Sequence, residues 1–234
     1  MAELNAHILL EGSYLFYEKD VNYSQENFKF VHYPDLQQYH LYAEILSRVE
    51  TGEFLKILVR YEMNHHYIPI NIRVEKNMGN QNAVELYEVD TTEQELHYSF
   101  QNSQGTEEYK RPLNARHYLT TPSFATSTFF TLTKKFDQTG RTAVVFLSSP
   151  NDWNYVGQLE EKVIFGEFKS RESTEFKINE KELEAYHLCL YEHSALEHSD
   201  EEPVNLYISK YHGIPYELLH GDKKIIAKAL KKNY

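Results

Sequence analysis

Apolar residues recur at every second position of this chain, and the pattern restarts after each turn signal along most of its length. Leu55, Ile57, Val59 and Tyr61 make one row, and Ile68, Ile70, Ile72 and Val74 make the next. Val84 with Leu86, then Leu96, Tyr98 and Phe100, continue the habit. A period of two puts alternate side chains on opposite faces of a strand, so each segment has one buried face and one wet face. Roughly a dozen or more such strands predict an all-β fold. The expected form is a single strongly curved antiparallel sheet making an open or nearly closed barrel, with at most one or two short helices. At 234 residues the chain fits one such β-barrel-like domain spanning 1–234.

The turn chemistry places most of the strands. His7 to Tyr17 and Phe28 to Tyr33 open the sheet. Residues 36–50 can be read two ways. Asp35 with Gln38 resembles a helix cap, but Leu41, Ala43 and Ile45 alternate, and Glu50-Thr51-Gly52-Glu53 suits a hairpin. The β pattern on both sides favours a strand there. Hairpin tips are expected at Asn64-His65-His66, at Asn77-Met78-Gly79-Asn80 and at Gln101 to Gly105. Residues 105–123 read as irregular, because Pro112 and Pro122 exclude a central strand. Strands are predicted again at Ser127–Lys135, Thr142–Leu147, Trp153–Leu159 and Lys162–Phe168, then at Thr174–Ile178, Glu184–His193 and Val204–Tyr211. Asn179 to Glu182 reads as a turn. Tyr216–Leu219 and Ile225–Leu230 complete the set.

Charge removes whole function classes. With 35 acidic against 24 basic residues, the formal net charge is −11. A protein that tracks phosphates needs a basic face, so no nucleic-acid partner is expected. The one dense basic run, Lys223-Lys224 through Lys228, Lys231 and Lys232, reads as a solvated tail. No stretch approaches the roughly 18 apolar residues of a membrane span. Met1 to Asn5 lacks the basic and apolar regions of a secretion leader, so the expected compartment is the cytoplasm, or the periplasm had a leader been removed. One cysteine, Cys189, excludes an internal disulfide and a multi-cysteine metal site.

The second half of the chain carries an ordered set of short features. Leu119-Thr120-Thr121-Pro122 comes first, then strands flanking Thr139-Gly140-Arg141, then Ala185-Tyr186-His187-Leu188. A strand Leu206-Tyr207-Ile208-Ser209 then turns through Tyr211-His212-Gly213-Ile214-Pro215 into two short closing strands. This order resembles bacterial envelope families of unknown function that share the incomplete β-barrel of the lipoprotein-localisation factors, mainly over residues 119–230. The resemblance implies a curved sheet around an apolar cavity with a lid segment, and carriage of a lipid-like molecule rather than chemistry on it.

Candidate site residues follow from the aromatic load, 19 Tyr and 13 Phe. Rings with polar tips suit a cavity wall, although β-propensity alone places many of them. Trp153 with Tyr155, then Tyr87, Tyr98 and Tyr61, are the expected ligand-contacting residues of a hydrophobic small molecule such as a fatty acid. Gly157 is expected to leave space on the Trp153 and Tyr155 strand face. His187, Cys189 and His193 share one strand face, but at about 3.3 Å per residue the two histidines stand too far apart for one ion. No metal and no cofactor is expected. No nucleophile elbow is present, and Cys189 sits in an apolar strand, so no catalytic residue is assigned. An enzyme reading survives only as proton transfer by a buried carboxylate (Glu44, Glu62, Glu85 or Glu167) or histidine, and a packed scaffold with protein partners is the third reading. Edge strands of an incomplete barrel would also permit a homodimer.

Overall fold

The computed structural model describes residues 5–114, 117–133, 141–150, 153–155, 157–178, 181–192, 202–209 and 212–232, without the side chains of 170–176. Strands make up most of the described residues. The first eight are β1 (His7–Glu18), β2 (Val21–Tyr33), β3 (Gln38–Arg48), β4 (Phe54–Asn64), β5 (Pro69–Met78), β6 (Gln81–Asp90), β7 (Glu95–Asn102) and β8 (Gly105–Pro112). A short β9 (His117–Leu119) and a helical segment follow, with a 3₁₀ turn Phe124–Thr126 and one α-helix, α1 (Phe130–Thr133). The second set is β10 (Arg141–Ser148), β11 (Glu160–Ile178), β12 (Lys181–Glu192), β13 (Val204–Ser209), β14 (Pro215–His220) and β15 (Lys223–Lys232).

All fifteen strands join one sheet in the order β8-β7-β6-β5-β4-β3-β2-β1-β15-β14-β13-β12-β11-β10-β9. Every pairing is antiparallel except that of β9 with β10. β8 and β9 are its edges, so the sheet is not closed. The antiparallel ladder puts the turns 19–20, 49–53, 79–80, 103–104 and 221–222 at one end of the barrel, called here the upper end. Among the described residues no helix is long and apolar enough to cross a membrane.

Alternation decides the faces. In β4, Ile57, Val59, Tyr61 and Met63 point inward and are buried. Across it, Ala43 pairs with Val59 and Leu41 with Tyr61, and beyond them Val74 and Ile72 continue the layer. Within residues 36–50 a strand does form, β3 over Gln38–Arg48, after a 3₁₀ turn at Pro34–Leu36.

The concave interior is filled by the chain itself. The segment 120–133 enters it and packs Phe124, Phe129 and Phe130, all at most 4% exposed, among rings of the sheet. Phe124 stands edge-on to Tyr14 at 4.9 Å, Phe129 packs on Phe30 and Tyr61 at 5.6 and 5.7 Å, and Phe130 meets Tyr118 and Phe146 at 5.5 and 5.4 Å. This corrects the strand expected at Ser127–Lys135, of which 134 and 135 lie outside the described residues. The Ser and Thr hydroxyls explain the difference: Thr126, Ser127, Thr131 and Thr133 each donate back to the carbonyl three residues earlier. Such local bonds give the backbone an alternative to the ladder and satisfy it in an apolar surrounding.

Five other expectations change. Residues 105–112 are a strand, β8, and Pro112 is accommodated because β8 is an edge and Pro112 its last residue. Trp153 to Leu159 is not a strand in its described part: β10 ends at Ser148, and Gly157 has φ +116°. In β6 the buried row is Ala83, Glu85 and Tyr87, so Val84 and Leu86 face outward. Thr174–Ile178 is the far end of β11 rather than a separate strand, reached through register shifts after Phe168 and Ser170. Of the turn expected at Asn179 to Glu182, Lys181 and Glu182 belong to β12, and the other two lie outside the described residues.

Gly12 lies where the sheet leaves no room for a Cβ. A Cβ there would lie 2.6 Å from both the Ala229 carbonyl oxygen and Leu230 Cδ2, and 2.9 Å from Phe28 Cε1. Gly12→Ala is therefore expected to cost about 1–3 kcal/mol through overpacking. Urea unfolding measures it, and a change within about 0.5 kcal/mol, the range of ordinary surface changes, would show that the seam yields.

Candidate functional site

The upper end carries two features on its concave side. The first is a polar cluster on β5 to β8 beneath the connection between β10 and β11. The inward row of β5 ends at Lys76, whose diagonal neighbour on β6 is Glu85; their Nζ and Oε1 are 2.7 Å apart, and the side chains are 3% and 2% exposed. The Tyr87 hydroxyl donates to Glu85 Oε2 at 2.7 Å, and the Lys76 ammonium lies 5.6 Å from the Phe100 ring centre. Burial, and then the Glu85 charge, push the Tyr87 and Tyr98 hydroxyls well above their ordinary range, so both stay protonated donors. The rings continue sideways, Tyr87 to Tyr98 at 4.9 Å and Tyr98 to Tyr109 at 5.3 Å.

The connection from β10 to β11 lies over this cluster and is held by side chains instead of a ladder. Asn102 Nδ2 donates to the Trp153 carbonyl at 2.9 Å, and the Leu159 amide donates to the Tyr109 hydroxyl at 2.7 Å. Trp153 and Tyr155 are half-buried and pack on the core, with Tyr155 6.4 Å from Phe100. Four of the five expected site residues, Trp153, Tyr155, Tyr87 and Tyr98, thus gather here, the first two on an irregular segment. Tyr61 stands apart, its hydroxyl donating to the Leu119 carbonyl at 3.3 Å and its ring on Phe129; burial raises its hydroxyl too.

The second feature is a cavity of about 550 Å³ beside β10, β11, β12 and β13. Phe146, Ile164, Leu190 and Val204 give it apolar walls, while Glu192, Glu202 and His220 stand among the residues that line it. Its volume lies inside the range of about 300–1,000 Å³ usual for small-molecule sites. None of the expected ring residues lines it. Its walls were visible only as alternation within four separate strands, and only pairing brings them together.

Between these features and the opposite end runs the interior segment 120–133, anchored by Glu26. This carboxylate is fully buried and accepts from Ser123 Oγ at 2.6 Å and from the amides of Phe124 and Ala125 at 2.8 and 3.1 Å. Burial pushes its pKa up to about 7, and the three donors pull against that rise. Both oxygens are engaged, so Glu26 is an anchor rather than an open acid. Sequence reasoning passed it over, although Ser24, Glu26, Phe28 and Phe30 form one alternating row. Of the carboxylates considered from the sequence, only Glu85 is buried to this degree; Glu44, Glu62 and Glu167 pair with Lys56, Arg60 and Arg141 toward the surface.

His187 and Cys189 do share a face, and both reach Asn205 Oδ1, at 3.0 and 3.4 Å. Burial raises the Cys189 thiol, which suits a structural residue. His193 lies outside the described residues. Among the described residues no group of three or more His, Cys, Asp or Glu side chains is arranged to hold a metal.

No protein-family model matches the chain, and no curated protein does. Among solved structures it is similar to a β-barrel-like protein of Domain of Unknown Function DUF1849 from Brucella abortus. That likeness has a TM-score of 0.62 at 8% identity, over 97% of this chain and 98% of the other. A DUF1089 family protein from Pseudomonas aeruginosa aligns at a TM-score of 0.49 and 11% identity, over 84% of this chain and 89% of its own. The first likeness establishes a β-barrel-like fold and carries no ligand with it. It says nothing of the lipoprotein-localisation factors.

Proposed function

We propose that residues 1–234 act as one β-barrel-like unit that binds a hydrophobic small molecule, such as a fatty acid, at the upper end without chemistry on it. The observation that carries this reading is the cavity of about 550 Å³ walled by Phe146, Ile164, Leu190 and Val204. Phe146 also packs on Phe130 of the interior segment, which ties this wall to the filled core. Two residues beyond Phe146 the chain leaves the sheet at Ser148 for the irregular connection that bears Trp153 and Tyr155. The described residues of this connection are held by side-chain bonds rather than by a ladder, so they yield more readily than a strand would. Tyr87 and Tyr98 form the wall behind it, and Tyr61 stands apart on Phe129.

The neutral apolar dye N-phenyl-1-naphthylamine tests the proposal. Its fluorescence should rise on binding, and a long-chain fatty acid should displace it while shifting the emission of Trp153 to the blue. Val204→Phe, which fills the cavity, should weaken the dye by about 10-fold, the equivalent of about 1.4 kcal/mol. Trp153→Ala should weaken it as well, by more than it lowers stability. Wild-type binding in both variants would end the proposal.

A further inference from the structure

A different crevice opens at the opposite end of the barrel. There the far end of β11, at Ile178, comes onto β15 after the two register shifts in its pairing with β12. The space between them measures about 460 Å³. Leu10, Ile178, Leu183, Tyr216 and Leu230 give it apolar walls, and buried Ser209 adds a hydroxyl. Three lysines, Lys181, Lys231 and Lys232, complete its lining. Ile178, Leu183, Tyr216 and Leu230 also form a small cluster of buried and half-buried side chains at that end of the barrel.

Three lysines among the residues that line an apolar crevice stand out in a chain of net charge −11. Lys231 carries a carboxylate partner at the surface, Glu11 at 3.0 Å, and with 71% exposure that pair is screened and easily exchanged. From this juxtaposition we infer that the crevice is a binding site for an anionic amphiphile, whose chain enters the apolar space and whose phosphate or carboxylate head meets Lys181, Lys231 and Lys232. An alkyl chain alone would gain nothing from the lysines, and a free anion alone would gain nothing from the leucines. The site is independent of the cavity at the upper end.

Isothermal titration calorimetry with decyl phosphate, inorganic phosphate and 1-decanol separates the contributions. Decyl phosphate should bind more tightly than either of the other two, and more weakly as salt rises. Lys181→Ser with Lys232→Ser, both at the surface of their strands, should weaken decyl phosphate by about 10-fold or more and leave 1-decanol unchanged. Leu183→Trp, which fills the crevice, should weaken decyl phosphate, while Val204→Phe at the upper end should not. Inorganic phosphate binding as tightly as decyl phosphate would reduce the site to a free-anion contact and overturn the inference. Loss of decyl phosphate binding in Val204→Phe, with none in the lysine variant, would also overturn it by placing the amphiphile in the other cavity.

Discussion

Replacing Lys76 with methionine is expected to remove about 3–5 kcal/mol of stability, because it strands Glu85 as an uncompensated charge in the interior. The two side chains are 3% and 2% exposed, and the contact is 2.7 Å, so water cannot take over the lost partner. The pair itself need not be stabilising. Its two charges were desolvated to form it, and an apolar replacement of the whole group is often neutral or better. Lys76→Met, Glu85→Leu and Tyr87→Phe together, which removes the hydroxyl that donates to Glu85, should therefore return to within about 1 kcal/mol of the parent. Urea unfolding of the single and triple variants decides the matter. A triple variant as unstable as Lys76→Met would mean that the network contributes more than it costs.

Glu26 should give the second large effect, and one that depends on pH. Its folded value is raised from 4.5 to about 7. A carboxyl raised in this way adds stability only while protonated, so the contribution is complete below pH 4.5 and is lost as pH rises through 7. The loss amounts to about 3 kcal/mol. Glu26→Gln does not titrate, so the stability difference between the parent and this variant should shift against the parent by that amount between pH 4.5 and pH 8. A difference that stays flat across this range would show that the three donors hold the carboxylate at its ordinary value. Glu26→Ala should cost about 3–5 kcal/mol near pH 4.5, since it orphans Ser123 Oγ and two amides in the interior, and correspondingly less at pH 8, because Ala does not titrate either.

Both residues show where strand patterning was legible and where it was not. The row Ile72, Val74, Lys76 and the row Phe30, Phe28, Glu26 continue with unbroken parity into a charged residue. Hydrophobicity stops each row one step early, whereas the pleat does not stop. Parity taken alone would have found both. The interior segment was illegible for another reason. Phe and Thr are strand formers by propensity, and nothing local reveals that Ser123, Phe124 and Ala125 will meet a carboxylate 97 to 99 positions earlier. Gly213 lies between these cases. Its turn was recognised, and the structure adds the cause: φ is +59°, and a Cβ would stand 2.9 Å from Leu132 Cγ of the interior helix. The ring residues were chosen for their chemistry, and Tyr87 and Tyr98 do touch, but Trp153 and Tyr155 were placed on a strand, which the described residues there do not form. The two cavities need long-range pairing and could not be read from any one segment.

The seam between β1 and β15 also governs how the chain assembles. From β1 to β8 each strand pairs with the next, so this half forms by successive hairpin closures, each of short loop length. The contact of Glu11 with Lys231 spans 220 positions, and it can form only after the last strand exists. Closing so distant a pair is slow. During synthesis β1 therefore waits as an unpaired edge with its hydrogen-bonding groups unanswered. The strand best suited to answer them is β15, and a second copy of the chain carries the same strand. At high concentration, folding of this protein becomes a competition between its own last strand and a neighbour's, with exchanged β15 arms as the product of losing it.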